Sequence, residues 1–161
     1  MKHLIITFLL TLIGLCGFSQ NYLSNIELKN LENKSVNIAT YNTVNHPIII
    51  SFWATWCAPC IKELKTFHKH YKQWQSKYNV ELLAIATDDA KTKNRVKSLV
   101  KGAQWQYTIF FDDNQELKRS LNIANIPYTL ILYKGKAVFV HSGYTPGVET
   151  EIEKKLQLLT Y

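Results

Sequence analysis

The stretch FWATWCAPC, residues 52–60, places two cysteines three positions apart behind an aromatic run. The segment leading into it, PIIISFW (47–53), is continuously apolar and rich in β-branched residues, which indicates a strand buried on both faces. From Ala58 to Tyr78 the pattern changes, because apolar residues now recur every three or four positions. This period predicts a helix with one buried face. The cysteines therefore lie where a buried strand runs directly into a helix.

The same alternation of strand and helix continues along the chain. Apolar runs predict further strands at 80–87, 107–111, 128–133 and 137–143, and helix-compatible segments lie at 90–101, 114–121 and near the C-terminus. The last two strands flank Lys134-Gly135-Lys136, a hairpin turn in which glycine can supply the positive φ. Residues 26–39 alternate on either side of Glu32-Asn33-Lys34, which indicates an N-terminal β-hairpin. The order predicts an α/β fold with a central mixed β-sheet flanked by helices.

The first nineteen residues have the pattern of a cleavable signal peptide. Lys2 and His3 precede the short apolar run 4–15, and the triplet Gly17-Phe18-Ser19 follows. The run is shorter than the roughly 20 residues that a membrane-spanning helix needs. We therefore expect export to the periplasm or cell envelope and a single domain over 20–161. An uncleaved anchor, or lipidation at Cys16, would tether the chain to a membrane instead.

Cysteine content and charge exclude two other classes of protein. Cleavage after Ser19 would leave only Cys57 and Cys60, too few for a disulfide-stabilised scaffold. The net charge of the full sequence is +7, but the lysines are scattered singly, as along the helix that follows Cys60. They indicate a solvated helix face, and we expect no nucleic-acid partner.

The predicted position of Cys57 favours a reactive sulfur. Free backbone N–H groups and the positive end of the helix dipole stabilise a thiolate at a helix start. Pro59 fits the first turn, where its missing N–H is not needed. Cys60, one turn further on, is expected to be shielded. A low-pKa sulfur near the surface with a second sulfur within reach is what dithiol–disulfide exchange needs, and the uncharged Ala58 and Pro59 favour a mild, reducing couple.

Two segments carry a resemblance to a known family. FWATWCAPCIKEL (52–64) resembles the active-site segment of the thioredoxin superfamily, and in particular its exported TlpA/ResA-like branch. NIANIPYTLILYKGKAV (122–138) is similar to the second signature of that superfamily. The resemblance implies a thioredoxin-like fold in which Cys57 attacks, Cys60 resolves, and Pro127 is a cis-proline facing the cysteine pair.

The resemblance also implies roles for neighbouring residues. Its substrate-binding positions correspond to Trp56, Ala58, Pro59, Ile126 and Pro127. Glu63 occupies the position of an acid that assists proton transfer in this branch, whereas Ser51 stands where thioredoxins proper carry a buried acid. Serine does not accept a proton at neutral pH, so Glu63 is the candidate general base. The alternative is that Glu63 only pairs with nearby lysines in solvent.

The leading interpretation is an exported thiol-disulfide oxidoreductase whose sole redox group is the Cys57–Cys60 pair, with no bound cofactor or metal. Its expected partners are cysteine-containing envelope proteins, for example in cytochrome c maturation, and an upstream membrane thiol donor; the protein itself is expected to be a monomer. The alternative is a metal-delivery or polypeptide-binding module that uses the same thiolates without turnover. A purely structural disulfide and a thiol peroxidase are less favoured, the latter because its proline-threonine approach is missing.

Overall fold

A computed structural model of the protein describes residues 21–160 as a seven-stranded sheet with helices on both faces. The strands are β1 (Glu27–Asn30), β2 (Ser35–Asn37), β3 (Ile48–Trp53), β4 (Glu81–Ala86), β5 (Thr108–Phe111), β6 (Tyr128–Tyr133) and β7 (Lys136–Ser142). The α-helices are α1 (Ala58–Tyr78), α2 (Lys93–Ala103), α3 (Glu116–Ser120) and α4 (Val148–Thr160), and a 3₁₀ helix spans Ile38–Thr43. The predicted signal peptide, including Cys16, lies outside the described residues.

The sheet is mixed, as the sequence predicts. Its strand order is β2-β1-β5-β4-β3-β6-β7. Strands β3, β4 and β5 are parallel, because α1 and α2 return the chain to the same end of the sheet, whereas the outer pairings are antiparallel. The N-terminal hairpin is confirmed, with Leu28 opposite Val36. The 3₁₀ helix was not predicted from the sequence.

Two apolar clusters lie on the two faces of the sheet. On one face α1, α2 and α4 pack against alternate residues of β3, among them Ile49 and Trp53. On the other face the 3₁₀ helix and α3 pack against the intervening residues Ile48, Ile50 and Phe52. Every residue of β3 is buried, which explains why its sequence is apolar on both faces, apart from Ser51, instead of alternating. Strand β3 thus fixes the position of whatever follows Trp53.

The hairpin turn between β6 and β7 has the backbone that its sequence suggests. Tyr133 pairs with Lys136, so only Lys134 and Gly135 form the turn, and both have positive φ, 49° and 72°. That conformation suits the twist of the two strands and favours glycine. The carbonyl of Gly135 accepts a hydrogen bond from Tyr22 N at 3.1 Å, which attaches the start of the described chain to this turn.

No helix within residues 21–160 has both the length and the apolar composition needed to cross a membrane.

Candidate active site

The two cysteines are bonded to each other at the junction of β3 and α1. Cys57 is the N-cap of α1, Pro59 lies in the first turn, and the Cα atoms of Cys57 and Cys60 are 5.3 Å apart. The Cys57 sulfur accepts a hydrogen bond from the backbone N–H of Cys60 at 3.3 Å. The position at a strand–helix junction, predicted from the change of period, is confirmed.

The environment of the two sulfurs is asymmetric. Cys57 retains 5% of its surface, whereas Cys60 is fully enclosed. When the disulfide is reduced, the first N–H groups of α1 and its dipole favour negative charge on Cys57. Cys60 has no access to solvent that would stabilise its thiolate, and burial favours the neutral thiol. The two sulfurs therefore differ in the stabilisation that each thiolate would receive after reduction, and the helix start favours Cys57.

Glu63 lies on the same buried side of α1 as Cys60, three residues further on, and is fully buried. Its Oε2 accepts hydrogen bonds from Thr129 Oγ1 at 2.9 Å and from Ser51 Oγ at 3.2 Å. Desolvation raises the pKa of Glu63 from its ordinary value of 4.5 to about 7, although the two hydrogen bonds act in the opposite direction. The alternative of a solvent-exposed pair with lysines is wrong, because the amphipathic period directs this position inward.

The two hydroxyl donors to Glu63 come from adjacent strands. Ser51 on β3 and Thr129 on β6 are register partners, so their side chains lie side by side under α1. Glu63 Oε1 is buried and has no hydrogen-bond partner among the described residues. Thr129 was not identified from the sequence, although the alternation of YTLILY places it on the same face as its neighbours two positions away.

The residues expected to contact substrate lie at the same end of the sheet as the disulfide. Trp56 is 61% exposed, and Ala58 and Pro59 are exposed in the first turn of α1. The Ile126–Pro127 peptide bond is cis, and Pro127 directly precedes Tyr128, the partner of Phe52 at the end of β3. Trp56 and Ile126 line one surface pocket together with Thr87, Gln115, Lys118, Ala124 and Asn125. The fold thus brings the cysteine segment (52–64) and the cis-proline segment (122–138) together at the end of the sheet where β3 ends and β6 begins.

A second buried carboxylate near the cysteines was also missed from the sequence. Asp88 follows β4 and accepts hydrogen bonds from the backbone and the hydroxyl group of Thr55. The only signal in the sequence is an acidic pair at the end of a buried strand, which is common in loops.

Within residues 21–160, no group of three or more His, Cys, Asp or Glu side chains is arranged to hold a metal ion.

The mixed sheet has a disulfide-bonded CxxC pair at the start of the longest helix and a cis-proline loop at the same end. This combination defines a thioredoxin-like thiol-disulfide oxidoreductase. The chain belongs to the AhpC/TSA family, whose model matches residues 20–143. The resemblance inferred from the two signatures is confirmed.

Several known proteins are similar to the chain. The thiol-disulfide oxidoreductase ResA of Bacillus cereus is 26% identical over 167 residues, which cover 94% of this chain and 92% of the relative. The solution structure of an uncharacterized thioredoxin-like protein from Porphyromonas gingivalis superimposes on this chain with a TM-score of 0.76 and 38% sequence identity. The match covers 87% of this chain and 92% of that protein's chain. A putative thiol:disulfide interchange protein DsbE from Chlorobium tepidum shares the fold, with a TM-score of 0.75, 17% identity, and coverage of 86% and 95%.

Proposed function

We propose that the protein is exported and reduces disulfides in cysteine pairs of other envelope proteins, using Cys57 to attack, Cys60 to resolve and Glu63 to take up the Cys60 proton. The observation that carries the proposal is the fully buried Glu63, three residues after Cys60 on the helix that begins at the cysteine pair. Export is supported by the pattern of residues 1–19, and the uncharged Ala58 and Pro59 between the cysteines support the reducing direction.

The first step is attack by the Cys57 thiolate on a partner disulfide. The partner S–S bond breaks, a mixed disulfide forms through Cys57, and one partner sulfur leaves as a thiolate. The exposed Trp56 and the backbone around the cis-proline are placed to hold an extended segment of the partner against Cys57.

The second step needs a base, because Cys60 is buried as a neutral thiol. Glu63 takes its proton, and the Cys60 thiolate then attacks the Cys57 sulfur. The mixed disulfide breaks, the Cys57–Cys60 bond forms, and the second partner cysteine leaves as a thiolate. Two electrons pass from the dithiol to the partner, and an upstream membrane thiol donor would restore the dithiol. A carboxylate whose pKa is raised to about 7 exchanges protons readily near neutral pH.

Resemblance to the TlpA/ResA-like branch suggests cytochrome c maturation as one setting for this reaction. The partner cysteines would then belong to proteins that must be kept reduced on the outer side of the membrane.

Trapping tests the proposal directly. A Cys60→Ser variant expressed with its signal peptide should accumulate mixed disulfides through Cys57, because the resolving step is blocked. A variant carrying both Cys57→Ser and Cys60→Ser is the matched control and should trap nothing. Disulfide-linked species should be sought by non-reducing electrophoresis of envelope fractions, and the midpoint potential of the purified wild type gives the direction of electron flow.

One result would favour metal delivery over exchange. If no protein is trapped and the purified dithiol binds copper or zinc stoichiometrically, the oxidoreductase proposal fails.

A further inference from the structure

Asp88 is a fully buried carboxylate close to the redox centre, and its hydrogen bonds go to one residue of the loop before Cys57. Asp88 Oδ2 accepts from Thr55 N at 2.9 Å, and Asp88 Oδ1 accepts from Thr55 Oγ1. No ion pair with Asp88 occurs in the part of the chain that the structure describes. Burying a carboxylate is costly unless it is hydrogen-bonded, so the contact with Thr55 is what makes this burial tolerable.

Thr55 belongs to the short connection between β3 and the cysteine pair. Asp88 and its neighbour Thr87 attach this connection to the end of β4: Trp53 O accepts from Thr87 N at 2.8 Å and from Thr87 Oγ1 at 3.1 Å. Cys57 N in turn donates to Ala54 O at 3.1 Å. The chain entering α1 is therefore held by the loop after the neighbouring strand.

We infer that Asp88 is a positioning residue for thiol-disulfide exchange: by holding Thr55, it fixes Trp56 and Cys57 relative to the first turn of α1. The inference rests on the proposed exchange function. Stabilisation of a thiolate by a helix start falls off within the first turn, so a shift of Cys57 weakens it. Trp56 is mostly exposed and has little packing of its own, so the turn beneath it sets its orientation toward a partner.

The competing explanation is that Asp88 only stabilises the fold. Asp112 provides a matched comparison, because it lies at the end of the adjacent parallel strand β5 and is also buried, with 2% exposure. It accepts hydrogen bonds from Leu117 N at 3.1 Å and Lys118 N at 2.9 Å. Each of these two carboxylates thus accepts hydrogen bonds from a nearby segment of the chain, but of the two it is Asp88 that binds the segment before Cys57.

The experiment compares Asp88→Ala, Asp88→Asn and Asp112→Ala in the reduced full chain. The asparagine side chain has an oxygen that can accept from Thr55 N and an N–H that can donate to Thr55 Oγ1. Asp88→Asn therefore keeps two hydrogen bonds to Thr55 while removing the carboxylate. The readouts are the rate of Cys57 alkylation by iodoacetamide as a function of pH, and insulin reduction with dithiothreitol as electron source. Unfolding in urea reports stability separately.

Asp88→Ala should alkylate about tenfold more slowly than Asp88→Asn near neutral pH, the size of a shift of about one unit in the Cys57 pKa. Asp88→Asn should react at least as fast as the wild type. Asp112→Ala should lose stability but keep the wild-type alkylation profile. An Asp88→Ala profile like that of the wild type, or an equal change in Asp112→Ala, would overturn the inference.

Two further measurements separate a folding defect in Asp88→Ala, and a failure of the proposed exchange function, from a failure of the inference about Asp88. If Asp88→Ala does not fold, Thr55→Val removes the side-chain hydrogen bond alone and should slow alkylation by about threefold, an intermediate effect for one of two hydrogen bonds; no change would reject the inference. If the wild type alkylates normally at Cys57 but does not reduce insulin, the exchange function is in doubt while the alkylation profiles still decide the role of Asp88.

Discussion

The side chain of Glu63 is fully buried between its helix and the sheet. It lies in an apolar environment beneath α1, where ionisation is disfavoured, and two hydroxyl groups only partly compensate. Carboxylates with a raised pKa are frequent at sites of proton transfer, and this supports the role proposed for Glu63. The serine and threonine beneath it keep the carboxylate within reach of ionisation at neutral pH instead of leaving it permanently protonated.

The stability of the oxidised protein should depend on pH through Glu63. Its pKa is higher in the folded state (about 7) than the ordinary value of 4.5, so between these values the folded protein binds more protons than the unfolded chain. Stability therefore falls as pH rises through this window, by on the order of 2–3 kcal/mol. Glu63→Gln should remove this component, as measured by urea unfolding at pH 5 and pH 8.

Ser51→Ala is the control for that measurement. The Ser51 hydroxyl lowers the pKa of Glu63, so its loss should move the pH window upward. Identical pH dependence in the wild type and Glu63→Gln would mean that Glu63 does not titrate in this range.

The resolving step should also respond to Glu63. The proposed function makes Glu63 the proton acceptor for Cys60, so in Glu63→Gln we expect resolution of a preformed mixed disulfide at Cys57 to slow by about 10²-fold near pH 7. Stopped-flow release of a chromogenic thiol from Cys57 measures this step alone. Resolution at the wild-type rate would assign proton removal to water or another group.

At the scale of elements, the junction between β3 and α1 does most to create the site. The period of the sequence predicted both elements closely, because a strand buried on two faces and a helix with one apolar face are distinct patterns. The 3₁₀ helix over 38–43 was missed. It is fixed by tertiary contacts, including hydrogen bonds between the Asn42 side chain and the backbone of Leu23, which no local period signals.

The turn between β6 and β7 should be sensitive to a single methyl group. In Gly135→Ala the added Cβ would lie 3.1 Å from Asn42 O, at a residue with a φ of 72°. We expect a loss of about 1–2 kcal/mol in the free energy of unfolding. Gly102→Ala is the matched control, because α2 leaves open space around that position and alanine favours a helix by up to about 1 kcal/mol. Chemical denaturation of both variants should show opposite signs; equal effects would contradict this account of the turn.

At the scale of the whole molecule, the sheet is most deeply buried at its centre and least at its edges. Strands β3 and β4 have neighbours on both sides and apolar cover on both faces, whereas β2 and β7 each have one neighbour. The disulfide follows the central strand β3, and the cis-proline loop precedes β6, which pairs with β3. The disulfide therefore lies next to the most deeply buried part of the sheet.

Amide hydrogen exchange should reflect this arrangement. Amides of β3 and β4 should exchange only through global unfolding, while those of β2 and the solvent side of β7 should exchange through local opening. Exchange followed by NMR in the oxidised protein checks this order. Protection of β2 equal to that of β3 would show that the N-terminal hairpin opens only together with the centre.

The sequence predicted the fold better than the site. The order of the strands in the sheet was not predicted, but the succession of strands and helices along the chain, the two hairpins and the cysteine position follow from period, turn residues and helix-start chemistry. The contacts that tune the site do not: Thr129 meets Glu63 across 66 residues, and Asp88 meets Thr55 across 33. Such pairs depend on sheet register, which local patterns do not specify, so the burial of Glu63 could be suspected from its helix position but its partners could not.

The unequal exposure of the tryptophans has an optical consequence. Trp53, Trp74 and Trp105 are enclosed, while Trp56 faces water next to the disulfide. A disulfide quenches a neighbouring indole, so red-shifted emission from this one ring would brighten on reduction and shift to shorter wavelength when a partner covers it. The emission of Trp56 would therefore report the oxidation state of the disulfide and, under the proposed function, the binding of a partner.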